Sequence, residues 1–207
     1  MGMIDLSNVS KLFTSYLLIG FILFNRCSTR SISIETKRET DESPIVDLLK
    51  IGAVSYLSTS PFDSYAETNV DWNSFLGTWN EIKRIDNSFQ SGLTEVSATY
   101  SLQGDGTIRV TNQGLSASGE TRLDGVALIP NPPVGKLKVS FFFPFFFGDY
   151  LILRIDRTGY RTALIGGPDP NFLWVFSREK TIPQQVETEY IEYAKTIGYD
   201  TNRLLSY

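Results

Sequence analysis

The sequence predicts an all-β domain: eight antiparallel strands in an up-and-down meander closed into a barrel, followed by one amphipathic helix. Two patterns in the 207 residues carry this. From Phe75 onward, short runs with apolar residues at every second position succeed one another between turn residues, and period two marks a half-buried strand. After Ser177 the spacing changes to three and four, as on a helix with one apolar face. Eight strands can close on themselves, which removes unpaired edges and leaves an interior wide enough for one small ligand. An open sandwich is the structural alternative.

The strands follow in order. Residues 75–85 form the first. Residues 95–102 form the second, with Val96, Ala98, Tyr100 and Leu102 on one face and Ser97, Thr99 and Ser101 on the other. Gly104-Asp105-Gly106 supplies the positive φ angles of a tight hairpin into 107–111. Runs at 122–129, 136–142, 150–155, 160–165 and 172–177 complete the eight, divided by NPP (131–133), GD (148–149), RTG (157–159) and GGPDPN (166–171). Pro183 then suits a first helical turn, Val186, Tyr190, Tyr193, Ala194 and Ile197 form one stripe, and Gly198 stands where a helix ends. Residues 203–207 add a short closing strand or cover an edge.

Three segments are expected: 1–27 for membrane targeting, 28–70 as a linker or extension, and 71–207 as the barrel. Residues 12–24 are charge-free and mostly apolar, a length suited to a signal and short for a spanning helix. Cys27 follows closely, and three readings stand: lipidation of that thiol, an uncleaved anchor, or a signal beside an incidental cysteine. Each places the barrel outside the cytoplasm, in the cell envelope, either anchored to the outer membrane or periplasmic. Residues 28–42 are polar and tether-like. Beyond Pro44, the positions Ile45, Leu48, Leu49 and Gly52 recur at helical spacing, so this stretch is either a short helix lying on the barrel or the bilayer, or a partly ordered extension.

Composition excludes several chemistries. The chain has no histidine and one cysteine, which removes Ser-His-Asp and Cys-His catalysis, His-based metal ligation and any internal disulfide. A net charge of −4 gives no basic field for nucleic acid. No cofactor and no metal are expected, and the oligomeric state is open, a homodimer included.

The segment DWNSFLGTWNEIKRIDNSFQSGL (71–93) resembles the first lipocalin signature, in which a helical turn precedes Gly-x-Trp; Gly77 and Trp79 match it. EVSATYSLQGDG (95–106), LKVSFFFPFFFGDY (137–150) and RTALIGGPDPNFLWVFSR (161–178) are similar to the bacterial lipocalin and apolipoprotein D subgroup through most of the barrel. Asn80 departs from that pattern, which has tyrosine there. The resemblance implies that Trp79 closes the narrow barrel end and that Arg178 packs across its indole, both as structural residues.

With Arg178 inward, alternation turns Phe172, Trp174 and Phe176 inward too, facing Val96, Ala98 and Tyr100 from the second strand. Leu151 and Leu153 are expected to join them, because Arg154 and Asp156 belong in solvent. Each of these eight residues either lines a ligand or fills the core. Glu81 and Asp86 read as an exposed or loop-capping pair, since no carboxylate motif supports catalysis. The run FFFPFFF (141–147) cannot turn every ring inward. The expected function is non-catalytic binding and transport or storage of a small hydrophobic ligand, a fatty acid or lysophospholipid, with the membrane engaged through the N-terminus. The alternative is an envelope interaction or adhesion protein with a filled barrel and an exposed aromatic loop.

Overall fold

In a computed structural model the chain is described over residues 44–206. The apolar run at 12–24 and Cys27 lie outside the described residues. A helix, α1 (Pro44–Leu57), comes first, and a short helix, α2 (Trp72–Phe75), opens the barrel. The strands are β1 (Gly77–Ile85), β2 (Thr94–Leu102), β3 (Ile108–Ser116), β4 (Gly119–Leu128), β5 (Lys136–Ser140), β6 (Gly148–Ile155), β7 (Thr162–Gly166) and β8 (Leu173–Ser177). Helix α3 (Gln184–Thr196) and a short β9 (Leu204–Ser206) end the fold.

Each strand pairs antiparallel with its sequence neighbour, and β1 closes the circle by pairing with both β2 and β8. The predicted eight-stranded barrel with a C-terminal helix is therefore the observed one. Strand β1 pairs with β2 only over Gly77–Asn80; beyond it, β9 takes Lys83 to Ile85 as partners. The edge that β2 leaves uncovered is thus covered by the end of the chain.

Two expectations about strand limits shift for local reasons. The first strand begins at Gly77, because residues 72–75 coil into α2, whose N-terminus is capped by Asp71 accepting the Asn73 N–H at 3.0 Å. The third strand runs on to Ser116 and turns directly into β4 at Gly119. Its outer half carries Asn112 and Gly114 on the face shared with Ala98, so the apolar alternation that marks a strand is missing there.

Two apolar clusters share the barrel wall. The interior one includes Phe75, Trp79, Ala98, Tyr100, Ile108, Val110, Ala127, Leu137, Tyr150, Ile152, Ala163, Ile165 and Phe176. The outer one includes Ile85, Leu151, Leu153, Leu164, Leu173, Val175 and Tyr199 and is covered by Tyr190 and Ala194 of α3. Leu151 and Leu153 therefore correct the parity expectation. A bulge between Ile152 and Arg154 shifts the alternation by one residue, so Arg154 shares the outer face with both leucines. Arg154 lies 3.4 Å from the centre of the Tyr193 ring on α3.

Residues 58–70, expected as linker, pack along the outer wall. Ser60 Oγ donates to Gly167 O at 2.9 Å, and Phe62 stacks on Tyr199 with ring centres 4.2 Å apart. Lys136 pairs with Asp63 at 2.7 Å, while the fully buried Asp149 carboxylate takes Lys138 at 2.7 Å and Lys136 at 3.1 Å. Lys138 also donates to Ser58 O. Nearer the closed end, Glu67 N–H donates to Ile152 O at 2.7 Å.

Because Leu153 belongs to the outer layer, Leu153→Ala is expected to lower unfolding free energy by about 2–5 kcal/mol in urea denaturation. Ligand uptake by the variant that remains folded should be unchanged; a loss of uptake at full folding would return Leu153 to the interior.

Candidate functional site

The barrel interior divides into a packed half and an accessible half. At the end where the chain enters β1, the Phe75 ring centre lies 5.3 Å from Trp79, 5.2 Å from Tyr100 and 6.4 Å from Tyr150. Tyr100 Oη donates to Tyr150 Oη at 2.7 Å, and Trp79 Nε1 donates to Phe75 O at 2.8 Å. Burial pushes both tyrosine phenols well above their ordinary pKa, so they stay neutral donors in this aromatic plug.

Arg178 seals that end from outside the plug. Its guanidinium carbon stands 3.7 Å from the centre of the Trp79 ring system. Nη2 donates to the carbonyls of Ser74 (2.8 Å), Phe75 (3.1 Å) and Leu76 (2.8 Å), Nη1 to Thr78 O (2.8 Å) and Nε to Tyr160 O (3.1 Å). A cation thus meets the carbonyls left over where α2 ends. Partial desolvation lowers the Arg178 pKa from its ordinary value. Gly77 sits beside it at φ +93°, a conformation that favours glycine, and a Cβ there would stand 3.4 Å from Arg178 Nη1. Asn80, at the position where the resembled proteins carry tyrosine, donates to Arg178 O at 2.8 Å.

Toward the other end, inward-facing side chains become accessible. Asn112, Thr121 and Trp174 are half-buried, and Leu123, which faces the interior opposite Asn112, is 44% exposed. Phe172 meets Trp174 with ring planes tilted by 36° and centres 5.9 Å apart, and approaches Phe89 at 6.1 Å. From the 141–147 loop, Phe141 packs against the interior cluster, with ring carbons 2.6 and 2.8 Å from where a Cβ would stand on Gly125. Among the phenylalanines of that run only Phe143 is exposed, at 53%.

A buried polar group braces this mouth. Arg84, fully buried, donates to Glu81 Oε1 at 2.6 Å and to the carbonyls of Gln90 and Leu93 at 2.8 and 3.0 Å. Gln90 donates to Glu81 Oε2 at 2.8 Å and accepts from Trp174 Nε1 at 2.8 Å. Glu81 is 8% exposed, which corrects the expectation of an exposed charge; burial raises its pKa against the opposing pull of Arg84. The register brings Arg84 opposite the inward-facing Trp174, after a bulge between Glu81 and Lys83.

With this geometry in view, the comparisons with known proteins become informative. A family model described as a Lipocalin-like domain matches residues 70–207, more than half of the chain. The chain belongs to the lipocalin family. It is 40% identical over 141 residues to the outer membrane lipoprotein Blc of Vibrio cholerae, covering 67% of this chain and 82% of that protein. It is 30% identical over 143 residues to apolipoprotein D of Macaca fascicularis, covering 66% of this chain and 73% of that one. Among solved structures it is similar to lobster apocrustacyanin A1, with a TM-score of 0.54 and 21% identity over 78% of this chain and 84% of that one, a likeness of fold. Membership implies a binder of small hydrophobic molecules.

In this lipocalin Val96, Ala98, Tyr100 and Phe176 are buried on the inward face, while Phe172 and Trp174 stand at the mouth. Leu151 and Leu153 are absent from that surface. Sequence reasoning missed Phe75, Tyr150, Glu81, Arg84, Gln90, Asn112, Leu123 and Phe141. Alternation from Ala98 could have found Asn112 and Leu123 through hairpin register; no local signal marks Arg84, since a bulge sets its direction. Among the described residues no group of acidic or sulfur ligands is arranged to hold a metal.

Replacing Arg178 with alanine leaves several carbonyls of the α2 turn without their donor, and stability should fall by about 2–3 kcal/mol. Lysine at this position should rescue only part, because a point charge cannot reproduce the planar fork over Trp79; equal stability of the alanine and wild-type proteins in denaturant melts would remove Arg178 from its sealing role.

Proposed function

We propose that this lipocalin binds one small hydrophobic molecule, a fatty acid or a lysophospholipid, in the mouth half of its barrel and carries or stores it in the cell envelope without chemical conversion. The supporting observation is the gradient along the interior: rings fill the closed half, whereas Leu123, Asn112, Thr121 and Trp174 keep accessible surface while facing inward. An acyl chain gains affinity from the apolar area it buries, at roughly 25 cal/mol per Å², and one or two polar contacts orient it.

Trp174, Phe172, Val96, Ala98 and Phe176 are assigned to the ligand wall, with the tyrosine pair as its floor. The Trp174 indole N–H is held by Gln90, so its ring presents a face rather than a donor. The envelope location draws on the relatives named as outer membrane lipoproteins. Cys27, after its apolar run, supplies the anchor through lipidation. Charged residues near the site are committed to structure, as the Glu81–Arg84 pair illustrates, which supports a binding role over a catalytic one.

Titration with a lysophospholipid or a cis-unsaturated fatty acid should give uptake of one equivalent with a blue shift of Trp174 emission. Leu123→Glu, at an accessible position, should weaken binding by about tenfold or more, equivalent to about 1.4 kcal/mol, by placing a carboxylate on the apolar wall. Absence of stoichiometric uptake of either lipid, with Trp174 emission unmoved, would overturn the proposal.

A further inference from the structure

Helix α1 carries large apolar residues on both its covered side and its uncovered side. Gly52 is pressed against the 141–147 loop, where a Cβ would stand 2.7 Å from Pro144 O. Ser55 Oγ accepts the Phe147 N–H at 2.9 Å, and the Tyr56 and Phe147 rings meet edge to face at 5.3 Å. Leu48, Gly52, Ser55 and Tyr56 recur at helical spacing and form this seated side. Elsewhere on the helix Leu49, Ile51, Val54 and Leu57 are 51%, 44%, 71% and 75% exposed, and Phe143 of the supporting loop is 53% exposed. Asp47 and Lys50, paired with each other at 3.9 Å, lie on this same side between the exposed apolar residues.

We infer that this exposed side of α1, together with Phe143, lies on a lipid bilayer and turns the barrel mouth toward the membrane. The inference rests on the reading above, in which the N-terminus tethers a lipid binder to the envelope, and deepens it by naming the surface that meets the lipid. Four large apolar side chains left exposed on one side of a 14-residue helix call for cover. The chain itself says what is near: 19 residues separate Phe24, the end of the apolar run, from Pro44. That length spans at most about 65 Å, and such a linker holds its two ends at an effective concentration in the millimolar range, about what weak surface contacts need.

A second copy of the chain fits less well. The 14 residues of α1 make a helix about 21 Å long. One side of it is a small surface against the roughly 800 Å² per partner of a stable dimer. A bilayer imposes no such threshold on a tethered helix. Because the 141–147 loop joins β5 to β6 at the accessible end of the barrel, seating α1 on lipid sets the ligand entrance at the surface from which an acyl chain would come.

The test uses the full chain on vesicles of phosphatidylethanolamine and phosphatidylglycerol, with Val54→Trp and, separately, Thr158→Trp at an exposed position in the turn between β6 and β7 at the closed barrel end. Emission added by Val54→Trp should be lost to lipids brominated in their acyl chains and protected from iodide, while emission added by Thr158→Trp should show the reverse. Adding Leu49→Asp and Leu57→Asp should return the Val54→Trp emission to iodide. Vesicle-bound protein whose Val54→Trp emission stays open to iodide overturns the α1 surface and leaves the tether standing. Protein that does not float with vesicles overturns both. Shielding from both quenchers with a doubled mass in light scattering overturns it in favour of a second copy.

Discussion

Everything in this barrel is hung from one contact, the Arg178 guanidinium lying across Trp79. Closure of eight strands requires β1 to find partners on both sides, and it does so with only four residues facing β2. At this narrow seam the cation joins β8 to α2 and the start of β1 through four carbonyls, and to the turn before β7 through a fifth. No neutral side chain offers so many donors in one plane. With that end fixed, Phe75, Trp79, Tyr100 and Tyr150 fill it, and accessible space is left to the opposite half.

The accessible half faces a different physical problem, because its inward-facing side chains keep exposed surface where those of the closed half are packed together. A buried ion pair braces it. Taking Glu81 and Arg84 out of water costs several kcal/mol per ion unless their remaining hydrogen-bonding groups are met. Here the carbonyls of Gln90 and Leu93, the Gln90 amide and the Asp86 carboxylate, 3.5 Å from Arg84 Nε, surround the pair and in doing so fold the β1–β2 loop over the mouth. The same amide orients Trp174. Loop position, mouth shape and the face of one aromatic ring are therefore coupled through a single glutamine.

The segment before the barrel extends this logic outward. The Asp149, Lys136 and Lys138 cluster holds residues 58–63 to the wall, and the aromatic loop holds α1 at the mouth. The loop of six phenylalanines is accordingly less a free patch than a platform: one ring turns into the barrel over Gly125, another meets Tyr56, and Phe143 points out.

Alternation, turn residues and a change of period were sufficient to determine the strands, their antiparallel order and the final helix, because these depend on neighbours a few residues apart. The pairing of Trp79 with Arg178 was legible through its resemblance to lipocalins. Which face of a strand points inward was legible only where no bulge intervenes. In β8 it held from Phe172 to Arg178; in β6 one extra residue before Arg154 turned Leu151 and Leu153 outward under α3. In β1 another bulge brought Arg84 inside with Glu81. Tertiary structure alone decides such positions, since a bulge leaves no mark in composition and reverses the destination of every side chain beyond it.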